Sequence, residues 1–157
     1  MAKSTPATKA LDALKIPYTL RTYTYDPAAK QIGVQAALEL GVDPQEVLKT
    51  LMLEVDGKAA CVLVPSNSEV SMKKVAAAFG GKQAKMMLPV EAEKHTAYKV
   101  GGISPLGRRR ASPVAIDESA LQHAKVFLNG GQRGLQICIA PEDLVLALKA
   151  EVGDLLA

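Results

Sequence analysis

The chain has 157 residues and a mass of 16.6 kDa, the size of one compact domain with little room for a second hydrophobic core. With 48% hydrophobic and 22% charged residues and a formal net charge of +3, its composition is that of an ordinary soluble globular protein, which excludes intrinsic disorder, collagen-like and coiled-coil architectures. Trp is absent and there are only two Phe and four Tyr, so the core must be aliphatic and stacking platforms for long single strands are scarce.

Ser4 or Thr5 is placed to cap a first helix, with Pro6 in its first turn and Ala10, Leu11 and Leu14 as its apolar stripe. The run YTLRTYTY, Tyr18 to Tyr25, is rich in β-branched and aromatic residues and predicts a strand exposed on one face, closed by Asp26-Pro27. Ile32, Ala36, Ala37 and Leu40 are spaced for a helix that Gly41 stops, and Asp43-Pro44 opens a short helix leading to Val47, Leu48 and Lys49. TLMLEV and KAACVLVP on either side of Asp56-Gly57 predict a β-hairpin.

Ser68 to Phe79 reads as a capped helix with Val70, Val75, Ala78 and Phe79 inward, ended by Gly80-Gly81. A short helix follows from Pro89 to about Thr96. Beyond the loop around Gly101 to Gly107, three strands are predicted from Pro113 to Asp117, Lys125 to Asn129 and Leu135 to Ala140, and Pro141 opens a last helix with Leu144, Leu146, Ala147 and Leu148 as its apolar positions. This irregular, hairpin-rich alternation predicts a single α+β domain over residues 1–157, a mixed, mostly antiparallel sheet with helices packed around it.

No run approaches the roughly 18 to 20 apolar residues of a membrane span, and the opening MAKSTPATKALDAL lacks the features of a secretory signal, so the expected location is the cytoplasm. Cys61 and Cys138 each lie in an apolar, strand-like run and read as reduced thiols, while His95 and His123 lack metal-ligand spacing, so no metal site is expected. Neither GxGxxG nor GxxxxGK[ST] occurs, and no pattern suggests a hydrolytic triad. No cofactor is expected.

Three features remain that can carry chemistry. From Ser71 to Arg110 there are nine basic residues and two acidic ones, a balance suited to a phosphate-bearing partner. Lys73 and Lys74 belong to that basic segment but taken singly read rather as the solvated face of a helix, whereas Arg108, Arg109 and Arg110 follow a glycine-rich loop and suit bidentate phosphate contacts. That loop, KVGGISPLG, and a second, NGGQRG, are either ordinary turns or, if they meet, the walls of one pocket in which backbone N–H groups approach a ligand. Lys49, an isolated cation in VLKTLML, either snorkels to solvent or reaches an anion in a cleft.

Taken together, VLKTLML, YKVGGISPLGRRR, VFLNGGQRGLQICIAPEDL and the opening PATKALDALKIPYTLRTYTYDP resemble the YbaK family of Cys-tRNA(Pro) deacylases over essentially the whole chain. The resemblance includes the family's lysine, its GxxxP loop from Gly101 to Pro105 and its GG-x-RG loop. It implies a partly closed, barrel-like sheet surrounded by helices, and a superfamily shared with the insertion editing domain of bacterial prolyl-tRNA synthetases and the ProX alanyl-tRNA(Pro) deacylases. The implied substrate is tRNA(Pro) mischarged with cysteine by prolyl-tRNA synthetase, itself an implied partner. A proline pocket rejects a similar-sized side chain by only about 1 to 3 kcal/mol, so a second sieve is required.

The family's implied mechanism is substrate-assisted: the cysteinyl thiol attacks its own ester. On this resemblance Lys49 binds the terminal adenosine's phosphate or ribose, and the backbone of Gly101, Gly102, Ile103 and Ser104 holds the aminoacyl group. Tyr23, Thr50, Pro105, Gly130 and Gly131 line or flank the pocket. Asn129 stands where the family commonly has serine. Ala-tRNA(Pro) deacylation, and a non-catalytic RNA- or synthetase-binding module resting on the basic segment, are the competing expectations.

Overall fold

A computed structural model describes residues 4–29 and 31–157; the first three residues of the opening segment fall outside it. Thr5 caps helix α1 (Pro6–Ala13) through a reciprocal pair of hydrogen bonds with Thr8. Strand β1 (Thr19–Thr22), helix α2 (Ile32–Leu40) and a 3-10 turn (Pro44–Glu46) lead to the hairpin of β2 (Leu48–Val55) and β3 (Lys58–Pro65). Asp56 and Gly57 both have positive φ, 49° and 82°, the primed turn that matches strand twist and that the Asp-Gly pair predicts.

There follow α3 (Met72–Ala78), β4 (Ala84–Met86), α4 (Pro89–Thr96) and β5 (Val114–Asp117). A 3-10 turn (Glu118–Gln122) then leads to β6 (Val126–Asn129), β7 (Leu135–Ile139), α5 (Pro141–Leu148) and β8 (Glu151–Gly153).

The described strands form two sheets, ordered β1-β7-β6 and β4-β2-β3-β5-β8, and no closed barrel. Four of the six strand pairs are antiparallel; β5 joins β3, and β8 joins β5, in parallel. The sheets touch at an isolated parallel bridge between Val47 and Phe127. The main core, with Leu11, Leu48, Leu63, Ile116, Leu128, Ile137 and Leu144, joins α1 and α5 to both sheets. Leu53, Val62, Val75, Ala115 and Leu155 form a second cluster with α3. Strand β3 supplies both clusters from alternate residues, Leu63 to one and Val62 and Val64 to the other, which is why KAACVLV reads as a continuous apolar run rather than an alternating one.

Several boundaries differ from the sequence reading. The predicted helix from Ser68 starts only at Met72, because the Ser71 hydroxyl accepts the Lys74 N–H at 3.2 Å and Val70 pairs with Leu156. Ala76, not Ala78, is buried there. Leu14 and Leu146, assigned to apolar stripes, are 54% and 70% exposed. The strand predicted from Tyr18 to Tyr25 shortens to β1, although the Tyr23 N–H still reaches the Gly134 carbonyl at 2.9 Å. No described helix is long and apolar enough to cross a membrane.

Candidate active site

At the seam between the sheets lies a cleft of about 190 Å³. Ile32 and Gly33 contribute from the start of α2, Val47 to Thr50 from the entry into β2, and Val100, Gly101 and Ile103 from the glycine loop. Asn129 and Gln136 close it from β6 and β7, where they are cross-strand partners. Five separate segments, spread from Ile32 to Gln136, thus meet. Their position follows from the Val47–Phe127 bridge, which sets the start of β2 against β6.

Lys49 is half-buried in this wall, and its ammonium makes no hydrogen bond or ion pair among the described residues. Burial pulls its pKa below the ordinary lysine value, partly opposed by the charge of Glu69. Beside it the Thr50 hydroxyl is buried without a partner, and so is the Gln136 side-chain carbonyl. An unpartnered buried polar atom costs roughly 1 to 3 kcal/mol, so two of them lining one cleft, from β2 and β7, mark a place shaped for a polar ligand. The Tyr23 hydroxyl, just beyond β1, faces the Gln136 side chain and the Gly134 backbone without a full hydrogen bond to either, and Tyr23 packs against the cluster of Ala37, Leu40, Val47 and Phe127. Burial raises the Tyr23 pKa and keeps the phenol protonated.

The two glycine loops meet. The Asn129 side-chain amide donates to the Gly101 carbonyl at 2.9 Å and its oxygen accepts the Gly131 N–H at 2.8 Å. Gly101 has φ of 90°, and a Cβ there would lie 2.6 Å from the Tyr25 hydroxyl, so only glycine gives this turn without strain. On Gly102 a Cβ would lie 3.0 Å from the Arg133 backbone nitrogen. The Arg133 Nε donates to the Val100 carbonyl at 2.9 Å, and its guanidinium sits 5.3 Å from the Tyr25 ring centroid.

Of the expected site residues, Lys49, Thr50, Gly101, Ile103 and Asn129 line the cleft. Others lie behind it. Ser104 is fully buried and its hydroxyl accepts the Leu106 N–H at 3.3 Å. The Gly102 N–H is committed to the Lys99 carbonyl. Pro105 is buried, and Gly130 binds the Leu135 carbonyl through its N–H and the Thr5 hydroxyl through its carbonyl. Gly131 is held by Asn129. Gln136 was not singled out by sequence reasoning; its only signal is one polar residue facing inward in the apolar run LQICIA, and it is 3% exposed.

The basic residues divide. Arg108 spends its guanidinium on the Pro105 carbonyl, at 2.8 Å, and on the hydroxyl and carbonyl of Ser112. Lys74 pairs with Asp154 at 2.8 Å. Lys73 and Arg109 are exposed, and Arg110 lines a separate cleft with Glu54, Glu91, Lys94 and His95. Burial and the charges of Arg108 and Arg110 lower the His95 pKa.

A protein of Enterococcus faecalis that carries the name of a Cys-tRNA(Pro)/Cys-tRNA(Cys) deacylase, EbsC, is 29% identical over 156 residues, covering 98% of this chain and 93% of that protein. The proline–tRNA ligase of Thermosipho melanesiensis is 27% identical over 99 residues, 63% of this chain and 17% of the ligase. Among solved structures, one described as a trans-editing enzyme for prolyl-tRNA synthetase superposes with a TM-score of 0.83 at 23% identity, over 99% of each chain. A scaffold used for epitope grafting superposes with a TM-score of 0.85 at 22% identity, again over 99% of each chain. Both likenesses are of fold. Residues 26–146 match the aminoacyl-tRNA editing domain, most of the described chain with every wall of the cleft included, and the protein belongs to that family.

Proposed function

We propose that this protein is a trans-editing deacylase that releases cysteine from Cys-tRNA(Pro). The observation that carries this reading is the chemistry of the cleft wall. Its described lining offers a cation, a hydroxyl and two carboxamides, but no carboxylate, imidazole or thiol, and its one hydroxyl, Thr50, has no hydrogen-bond partner to act as its base. Volume supports it too. At about 190 Å³ the cleft is smaller than the roughly 300 to 1,000 Å³ of sites that enclose drug-sized ligands, and suits an aminoacyl group.

The nucleophile then comes from the substrate. Its thiol sulfur bonds to the ester carbonyl carbon, the carbon–oxygen bond to the ribose breaks, and the thiol proton ends on the ribose oxygen, giving a thiolactone and free tRNA. The protein holds sulfur and carbonyl at reacting distance and supplies donors to the developing oxyanion. Lys49 takes the ribose oxygens of the terminal adenosine. The Gly101 and Ile103 segment and the Thr50 hydroxyl hold the aminoacyl group, and the Gln136 carbonyl accepts from its α-ammonium. Prolyl-tRNA synthetase supplies the mischarged substrate, and the cytoplasm is the location this reading implies.

Deacylation of Cys-, Ala-, Ser- and Pro-tRNA(Pro), with a nucleophilic trap for thiolactone, tests this reading. Rapid turnover of the cysteinyl ester with trapped thiolactone is expected. Preferential cleavage of the alanyl ester, which has no thiol, overturns it in favour of an Ala-tRNA(Pro) deacylase.

A further inference from the structure

Resting on the reading that the cleft takes an aminoacyl ester, we infer that Arg133 is the phosphate-binding residue at its mouth, gripping the phosphodiester that precedes the terminal nucleoside. The cleft has room for the aminoacyl group and not for the nucleotide as well, so the first phosphate of the RNA lies outside, over the rim. Val100 and Gly101 form part of that rim. Arg133 is exposed, and its Nε is fixed on the Val100 carbonyl at 2.9 Å. The Tyr25 ring braces the guanidinium plane from 5.3 Å, and neither Nη nitrogen makes a hydrogen bond among the described residues.

A guanidinium held at one nitrogen and set over a ring has already lost part of its rotational freedom, while its remaining N–H groups are still free for a bidentate phosphate contact. Three other basic residues are spent or set apart. Arg108 has three internal acceptors, Lys74 an aspartate, and Arg110 a cleft it shares with two glutamates. The grip also explains the placement of Gly102: a side chain there would push against the backbone of Arg133.

The test compares two substrates, a cysteinyl ester of adenosine, which has no internucleotide phosphate, and a cysteinyl ester of cytidylyl-adenosine, which has one. Arg133→Gln keeps a donor for the Val100 carbonyl without the charge. It should raise KM about tenfold or more for the dinucleotide ester, with kcat nearly unchanged, and leave the adenosine ester unaffected. Arg133→Lys should recover part of the loss, and Lys58→Ala, at the exposed hairpin turn, should change neither substrate. Equal effects of Arg133→Gln on both esters, or none on either, overturn the inference and leave Arg133 a brace for Val100. If the wild type cleaves neither ester, the deacylase reading fails and the grip is judged by binding of an uncharged CCA-ending oligonucleotide. There Arg133→Gln should flatten the plot of log affinity against log salt by about 0.7, and an unchanged slope overturns it.

Discussion

The side chain of Asn129 holds the Gly101 carbonyl at 2.9 Å and, through its other end, the Gly131 N–H. One planar amide therefore fixes the separation of two glycine loops. A serine hydroxyl at this position is too short to reach both with the same geometry. Each bond is worth about 0.5 to 1.5 kcal/mol, so Asn129→Ala should destabilise the fold by about 1 to 3 kcal/mol in chemical denaturation. Asn129→Ser should lose less stability and still lower kcat. Unaltered kcat in a folded Asn129→Ser protein would show that loop spacing is unimportant to the chemistry.

Lys49 should be needed for turnover and not for stability. Removing a charge-assisted interaction of about 1.5 to 3 kcal/mol corresponds to a ten- to hundredfold fall in kcat/KM for Lys49→Met. The folded-state pKa of Lys49 is depressed by burial, so the folded protein holds this proton less tightly than the unfolded chain does. At neutral pH both states are protonated and the half-buried ammonium costs stability, a cost that fades as pH rises through the lowered pKa. Lys49→Met should therefore melt no lower than wild type at pH 7. The alkaline fall in activity, corrected for spontaneous ester hydrolysis, should begin below the ordinary lysine range. A lower Tm with normal turnover would make Lys49 structural.

Gly101→Ala should fold and turn over poorly. Its φ of 90° strains any side chain, and the new Cβ meets the Tyr25 hydroxyl at 2.6 Å. The cost falls on the cleft wall, so a decrease of tenfold or more in kcat/KM is expected. Gly101→Ala combined with Tyr25→Phe should regain part of it, because the obstructing oxygen is gone. Kinetics of the single and double variants decide the point.

The protein's own thiols should be dispensable. Cys61 is fully buried in β3 and burial pushes its pKa up to about 11, while Cys138 is half-buried on β7. Neither lines the cleft. A double Cys61→Ala, Cys138→Ala variant that folds should retain activity. Ser-tRNA(Pro), with a weaker nucleophile in the same place, should be cleaved slowly even when bound. Loss of turnover in the folded double variant would return the nucleophile to the protein.

The arginine run should separate into structural and surface members. Arg108→Ala removes bonds to Pro105 and Ser112 and should lower stability measurably by thermal denaturation. Arg109→Ala with Arg110→Ala should leave it nearly unchanged. If those two side chains meet tRNA phosphates beyond the acceptor end, the salt slope of tRNA binding flattens by up to about 0.9 for each phosphate left without its arginine.

Much of this was written locally. The helix over 32–40 and the Asp56-Gly57 hairpin follow from spacing and turn chemistry that no tertiary contact overrides. Strands β4 and β8, three residues each, were not anticipated. Ala84, Lys85 and Met86 have little strand propensity of their own, and they pair because β2 presents an open edge to them. At the site, the motif loops and Lys49 were legible as residue types, but their meeting depends on the long-range Val47–Phe127 bridge. Ser104 and Arg108 were misleading for a related reason. A hydroxyl and a guanidinium in a glycine-rich loop look equally available whether they face a ligand or satisfy the loop's own backbone, and here they do the latter.

That bridge also orders events during folding. The hairpin of β2 and β3 joins neighbours in the chain and closes a short loop, whereas Val47 must wait for a strand near the opposite end before the seam exists. Non-local closure carries the larger entropic toll and comes late. A nascent or partly unfolded molecule accordingly has no enclosed wall in which to hold an ester, and the power to strip an amino acid from RNA arrives only with the finished fold.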